Sequence, residues 1–196
     1  LISRRPVRGE RVAAGRREMR VFMAAAVMGH ICRVRSEFLC PGSPVDLNHW
    51  AKVETVIFND CDHVRAEMLA RIDLQESGHW HDPHINGAYT AIDRSHPRRL
   101  LVASTNTRSN DLIGYNFLDA RTPQGPACAV RGCSQSQLYT YSVDDSDQYC
   151  NIVMLYCGRS SNCKPVQYDF FMQEVQVETS PGGGKDIHRC FRMRWR

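Results

Sequence analysis

The densest chemistry in the sequence is the run His79-Trp80-His81-Asp82-Pro83-His84-Ile85-Asn86-Gly87, which holds three imidazoles and a carboxylate. Neutral imidazole is a ligand for zinc and for copper. In an extended chain His79 and His81 point to the same side, because successive side chains alternate. Pro83 then bends the chain and lets His84 return towards the same ion, with Asp82 as an oxygen donor. The competing reading is a turn ahead of a strand, in which the same side chains bind backbone groups. One expectation is therefore a zinc- or copper-dependent enzyme with His79, His81, Asp82 and His84 as its site.

Asp144-Asp145-Ser146-Asp147 offers hard oxygen ligands for calcium through Asp144, Asp145 and Asp147. The glycine-centred twelve-residue loop of an EF-hand is absent, and Asp and Ser are common in surface turns. Cys61-Asp62-His63 looks like a nucleophile beside a base. On a helix, however, Cys61 and His63 are separated by about 200°, too far round the axis to act together. Seven aromatic residues (Trp80, Tyr89, Tyr115, Tyr139, Tyr141, Tyr149 and Tyr156) suit either a glycan or protein contact surface or a packed core. There is no phosphate-cradling glycine loop, no His-Glu-x-x-His and no Gly-x-Ser-x-Gly. No catalytic residue is assigned.

Nine cysteines are the strongest signal. Cys128, Cys133, Cys150, Cys157, Cys163 and Cys190 crowd the last third, and an even set in a short stretch predicts disulfides joined among themselves in an oxidising compartment. Zinc knuckles need paired Cys-x2–4-Cys spacings, and only Cys128/Cys133 offers one. Cys61 reads as an odd thiol whose partner is Cys40 or Cys32. Cross-links of about 2–4 kcal/mol each would be a large share of a net stability of about 5–15 kcal/mol.

Charge is unevenly spread. Residues 1–35 hold nine arginines against two glutamates, so the rest of this net +4 chain is slightly acidic. A nucleic-acid surface needs its cations on a folded face, so that function is disfavoured. Residues 1–35 read as a basic leader: Met19-Arg20 followed by the apolar Val21 to Met28 resembles a secretory signal, with an organelle transit peptide as the alternative. No apolar run reaches the length of a membrane-spanning helix.

These residues must be positioned by the elements around them. Residues 36–77 read as a linker around Cys40-Pro41-Gly42-Ser43-Pro44, followed by an amphipathic helix. That helix is drawn from Leu47 to Gln75, where Val53, Ile57, Cys61, Val64, Met68 and Ile72 recur every three or four positions. Gly78 is its stop. Residues 78–190 read as a cysteine-rich β domain and 191–196 as a basic tail. Strands are expected at Ala88–Ile92, Leu100–Ser104, Asp111–Leu118, around Tyr139–Val143, and at Ile152–Tyr156. The last expected strand runs from Tyr168 through Val177, where the alternation slips between Met172 and Val175 and calls for a β-bulge. Short strands without intervening helices predict a mainly β fold, an antiparallel sandwich or partly open barrel stapled by disulfides and preceded by a helix. The function expected is a secreted or luminal binding or structural module with a protein or glycan partner. The metal-dependent enzyme is the alternative, and a small inhibitor or toxin-like protein a weaker one.

Overall fold

Eight residues from Trp50 to Ile57 bury Ala51, Val53, Thr55 and Ile57 on one side and leave Trp50, Lys52 and Glu54 partly exposed on the other. That period of two makes them a strand, β1. In this computed structural model the described residues are 40–41, 48–106, 109–138 and 144–191. The leader over 1–35, the strand expected around Tyr139–Val143 and the tail beyond Phe191 lie outside them. The helix expected from Leu47 onward is thus corrected over its first half. Val53, Ile57 and Cys61 are four apart, and a spacing of four is both one helical turn and two strand repeats. The helix proper, α1, runs Cys61–Asp73. Asp60 caps it by accepting the His63 backbone N–H at 2.8 Å. Beyond its end Gly78 takes a left-handed φ of +72°, which suits glycine.

Five further strands follow: β2 (Ala88–Asp93), β3 (Arg99–Thr105), β4 (Asn110–Thr122), β5 (Gly125–Ser136) and β6 (Met172–Thr179). They join β1 in one open antiparallel sheet of order β2-β3-β4-β5-β1-β6. The fold is mainly β, antiparallel and disulfide-stapled. Its second layer is helical, since α1 packs on β2, β4 and β5, and a short helix α2 (Asp147–Val153) packs on β1, β4 and β5. The segment read as linker and helix therefore contributes a strand near one end of the sheet.

Further elements differ from the sequence reading. The run Ile152–Tyr156 was expected to be a strand, but Asp147–Val153 is helical and the chain turns through 154–156. A short run that is buried on every side carries no readable period. β5 was not expected, because its helix-facing residues are small. Gly132 explains why: a Cβ there would lie 2.4 Å from Ile152 Cγ2. Small residues on β5 let α2 lie directly against the sheet.

β6 does carry a bulge, but the strand begins only at Met172, so the expected strand over Tyr168–Phe171 is corrected, and Val175, expected to face the core with Val177, does not. Glu54 pairs with Gln176 and Thr55 with Glu174, so Val175 is the extra residue. Met172 and Val177, five apart, consequently both pack on the core. Val175 itself is turned out and is 53% exposed.

Buried between α1 and the chain after α2 is an ion pair that the sequence does not announce. The Arg71 Nε donates to Glu67 Oε1 at 2.8 Å, and both side chains are fully buried. Glu67 also accepts the backbone N–H groups of Val166, Gln167 and Tyr168 at 2.6–2.8 Å. Arg71 donates to the carbonyls of Met154 and Cys157, each at 2.7 Å. The pair fixes two stretches of irregular chain to α1.

Candidate functional site

Four disulfides connect the molecule: Cys40–Cys133, Cys61–Cys128, Cys150–Cys190 and Cys157–Cys163. The six C-terminal cysteines therefore do not pair only among themselves. Cys128 and Cys133 are five residues apart on β5, an odd spacing that points them to opposite sides of the sheet. Cys128 faces the helices and meets Cys61 at the start of α1. Cys133 faces away and meets Cys40. Cys61 is thus not an odd thiol paired with Cys40 or Cys32. Beside the Cys40–Cys133 bridge, the Pro41 ring lies 3.3 Å from where a Cβ on Gly114 would be. The segment at residues 40–41 is clamped across the side of the sheet that the helices leave open.

The histidine run does not converge. His79 is exposed, its Nδ1 2.7 Å from Ser77 Oγ, and His81 is exposed as well. Asp82 is buried and serves the turn, accepting the backbone N–H groups of His84, Ile85 and Gly87 at 3.1–3.2 Å. Burial raises its pKa and outweighs these hydrogen bonds. His84 is buried with Nε2 2.8 Å from Asp147 Oδ1 and Nδ1 3.3 Å from the Arg189 carbonyl. Both ring nitrogens of His84 already lie within hydrogen-bond distance of a protein oxygen. Among the described residues no three His, Cys, Asp or Glu side chains are placed to hold a metal ion.

The aspartate run also divides. Asp145 is engaged by Arg189 and Asp147 by His84. Asp144 is 4% exposed; one carboxylate oxygen accepts the Gln148 N–H at 3.3 Å, and its backbone carbonyl accepts the Gly184 N–H at 2.9 Å. Its other oxygen is buried with no partner. Burial pushes its pKa up to about 6, and nearby Asp147 adds to the rise. What the structure does bring together is one residue from each run: His84 and Asp147 meet where three chain segments cross. Here the loop 79–87, the turn 144–147 and the segment 184–191 are held by Cys150–Cys190. Gly184 belongs to this crossing, since a Cβ on it would lie 2.2 Å from Ser146 Oγ.

The aromatic residues proposed for a contact surface are core. Trp80, Tyr89, Tyr115, Tyr149 and Tyr156 are all under 5% exposed, while Tyr139 and Tyr141 lie outside the described residues. The large apolar side chains that do reach solvent are Ile92, Leu118, Leu138, Phe171 and Val175. Leu118 stands on the open side of the sheet opposite Ala129, near the paired charges Arg131 and Glu54, 2.9 Å apart. Phe171 and Val175 flank the start of β6, with Phe171 against Phe58 at a ring separation of 5.5 Å. A cleft of about 430 Å³ lies between the start of α1 and the tip of the β4–β5 hairpin, lined by Asp60, Asp119, Arg121 and Pro126. The Asp60 carboxylate there is committed to His63, to its backbone N–H and to its Nδ1 at 2.7 Å. Sequence patterning did not find the β6 edge as a site; the bulge signal was its one visible trace.

No protein-family profile, curated protein or solved structure matches this chain.

Proposed function

We propose that the chain is a secreted or luminal binding module that recognises a protein partner through the exposed apolar residues of its sheet. The observation that carries this reading is the division of its apolar side chains. Among the described residues Trp80, Tyr89, Tyr115, Tyr149 and Tyr156, which could stack on sugar rings, are buried, whereas Ile92, Leu118, Leu138, Val175 and Phe171 are offered to solvent. Four cross-links support an oxidising compartment and a rigid, pre-ordered surface. Among the described residues no helix is long and apolar enough to cross a membrane. A metal-dependent enzyme at residues 79–84 draws no support from side chains that point to separate partners.

The test is site-specific photocrosslinking from Leu118 and from Phe171 in the oxidised chain, applied to secretory and extracellular fractions of its own cells. The reading expects a discrete protein adduct that excess unlabelled chain abolishes. Binding to an array of glycans with no such adduct contradicts it.

A further inference from the structure

Among the described residues β6 is an edge strand, paired with β1 and with no other strand. Such an edge presents a row of backbone N–H and C=O groups that a further strand can take up. Proteins commonly guard such edges with lysine or proline. β6 has neither. β6 carries Glu174 and Glu178 and no Lys or Arg; Asp169 just before it is paired with Arg159. The apolar content of this edge is outward too, with Phe171 63% and Val175 53% exposed. The bulge at Val175 breaks the ladder, which limits any added strand to a short one and turns an aliphatic knob towards it.

We propose that the free edge of β6 takes up a short extended segment of a partner protein in which basic and apolar residues alternate. Main-chain hydrogen bonds would supply the register. Apolar side chains would cover Phe171 and Val175, and basic ones would answer Glu178. A second copy of β6 is the poorer occupant, because β6 itself carries Glu174 and Glu178 and no Lys or Arg, so two copies would set like charges together. This inference rests on the protein-binding reading and names the partner's chemistry.

The experiment uses the oxidised full chain and a fluorescent, end-capped octapeptide alternating arginine and valine, with a glutamate–valine octapeptide as control. Anisotropy is expected to show binding of the first only, weakened about tenfold between low and high salt and about tenfold by Val175→Lys with Glu178→Lys. Hydrogen exchange is expected to show new protection at residues 171–179. Both substituted positions are exposed, so the melting temperature and four-bridge mass report that the variant folds; Phe171→Ser is the second variant, with the same expected weakening. Equal binding of the two peptides, no binding of either, unchanged affinity in both variants, or protection at β2 instead overturns the proposal. So does a dimer, seen by sedimentation, that the arginine–valine peptide dissolves. If the peptide fails while adducts from Leu118 persist, the edge proposal falls and the binding-module reading stands; loss of both removes both.

Discussion

Glu67 accepts three backbone N–H groups and the Arg71 guanidinium, whereas Asp144, buried almost as deeply, has no guanidinium beside it and leaves one oxygen without a partner. Burial alone would raise the pKa of both. At Glu67 the N–H groups of Tyr168 and Val166, and then Arg71, reverse that and hold it below its ordinary value. At Asp144 the backbone N–H groups of Gln148 and Asp147 do not, with no guanidinium beside it and the Asp147 carboxylate opposing, and the pKa stands at about 6. Donors, rather than depth, decide the ionisation of a buried carboxylate here. The two therefore act oppositely on stability. Glu67 contributes stability above its ordinary pKa that is lost as pH falls through the lowered value. Asp144 contributes stability below about pH 3.8 that is lost as pH rises through about 6.

The largest expected break in this comparison is at Glu67. Glu67→Leu strands Arg71 and three backbone donors in the core and is expected to cost about 3–5 kcal/mol in urea unfolding. Arg71→Met should cost less, because Glu67 keeps its three N–H donors; an equal or larger loss would show that the guanidinium, not the backbone donors, holds that carboxylate.

The bridges beside the two carboxylates come next. Cys150–Cys190 closes a separation of 40 residues at the Asp144 crossing, and Cys157–Cys163 one of 6 beside Arg71. Replacing each pair by serine is expected to cost about 4 and about 2 kcal/mol respectively on loop entropy. Loss of the first should also speed hydrogen exchange at residues 184–191 without touching 166–168.

Asp144→Asn removes a charge that the fold holds at a disadvantage near neutrality. It is expected to raise stability by about 1–2 kcal/mol at pH 7.5 and to change little at pH 4, read from thermal melts across that range. A variant equally stabilised at both pH values would remove Asp144 from the account. The smallest effect is Val175→Lys, expected within about 0.5 kcal/mol of the parent because the residue is exposed. A larger loss would mean that the bulge itself needs the aliphatic side chain.

The parts of the fold read from sequence are those where one side of a strand is buried and the other wet. β2, β3 and β4 alternate cleanly: Leu100 and Val102 are buried between half-exposed neighbours, as are Ile113, Tyr115 and Phe117. The bulge in β6 was legible as a slip between Met172 and Val175, but which residue it ejects was not: Val177 packs on the core and Val175 is turned out. β1 was hidden by a four-residue spacing that two kinds of structure share. α2 was hidden by burial on all sides, and β5 by small residues chosen to admit α2. The Glu67–Arg71 pair was unreadable because charged residues on a helix are expected to face water, and its partners are about a hundred residues away in sequence. The histidine and aspartate runs were legible as clusters, but a run in sequence does not fix a common direction in space. His84 and Asp147 meet each other instead of their neighbours.

The claim beneath all of this is that Cys128 and Cys133, on opposite sides of β5, tie the sheet to segments far upstream. Peptide mapping of unreduced native protein tests it directly. The account predicts peptides linking Cys61 to Cys128 and Cys40 to Cys133, alongside Cys150–Cys190 and Cys157–Cys163. A bond between Cys128 and Cys133, or free alkylation of these eight thiols without reductant, would contradict it.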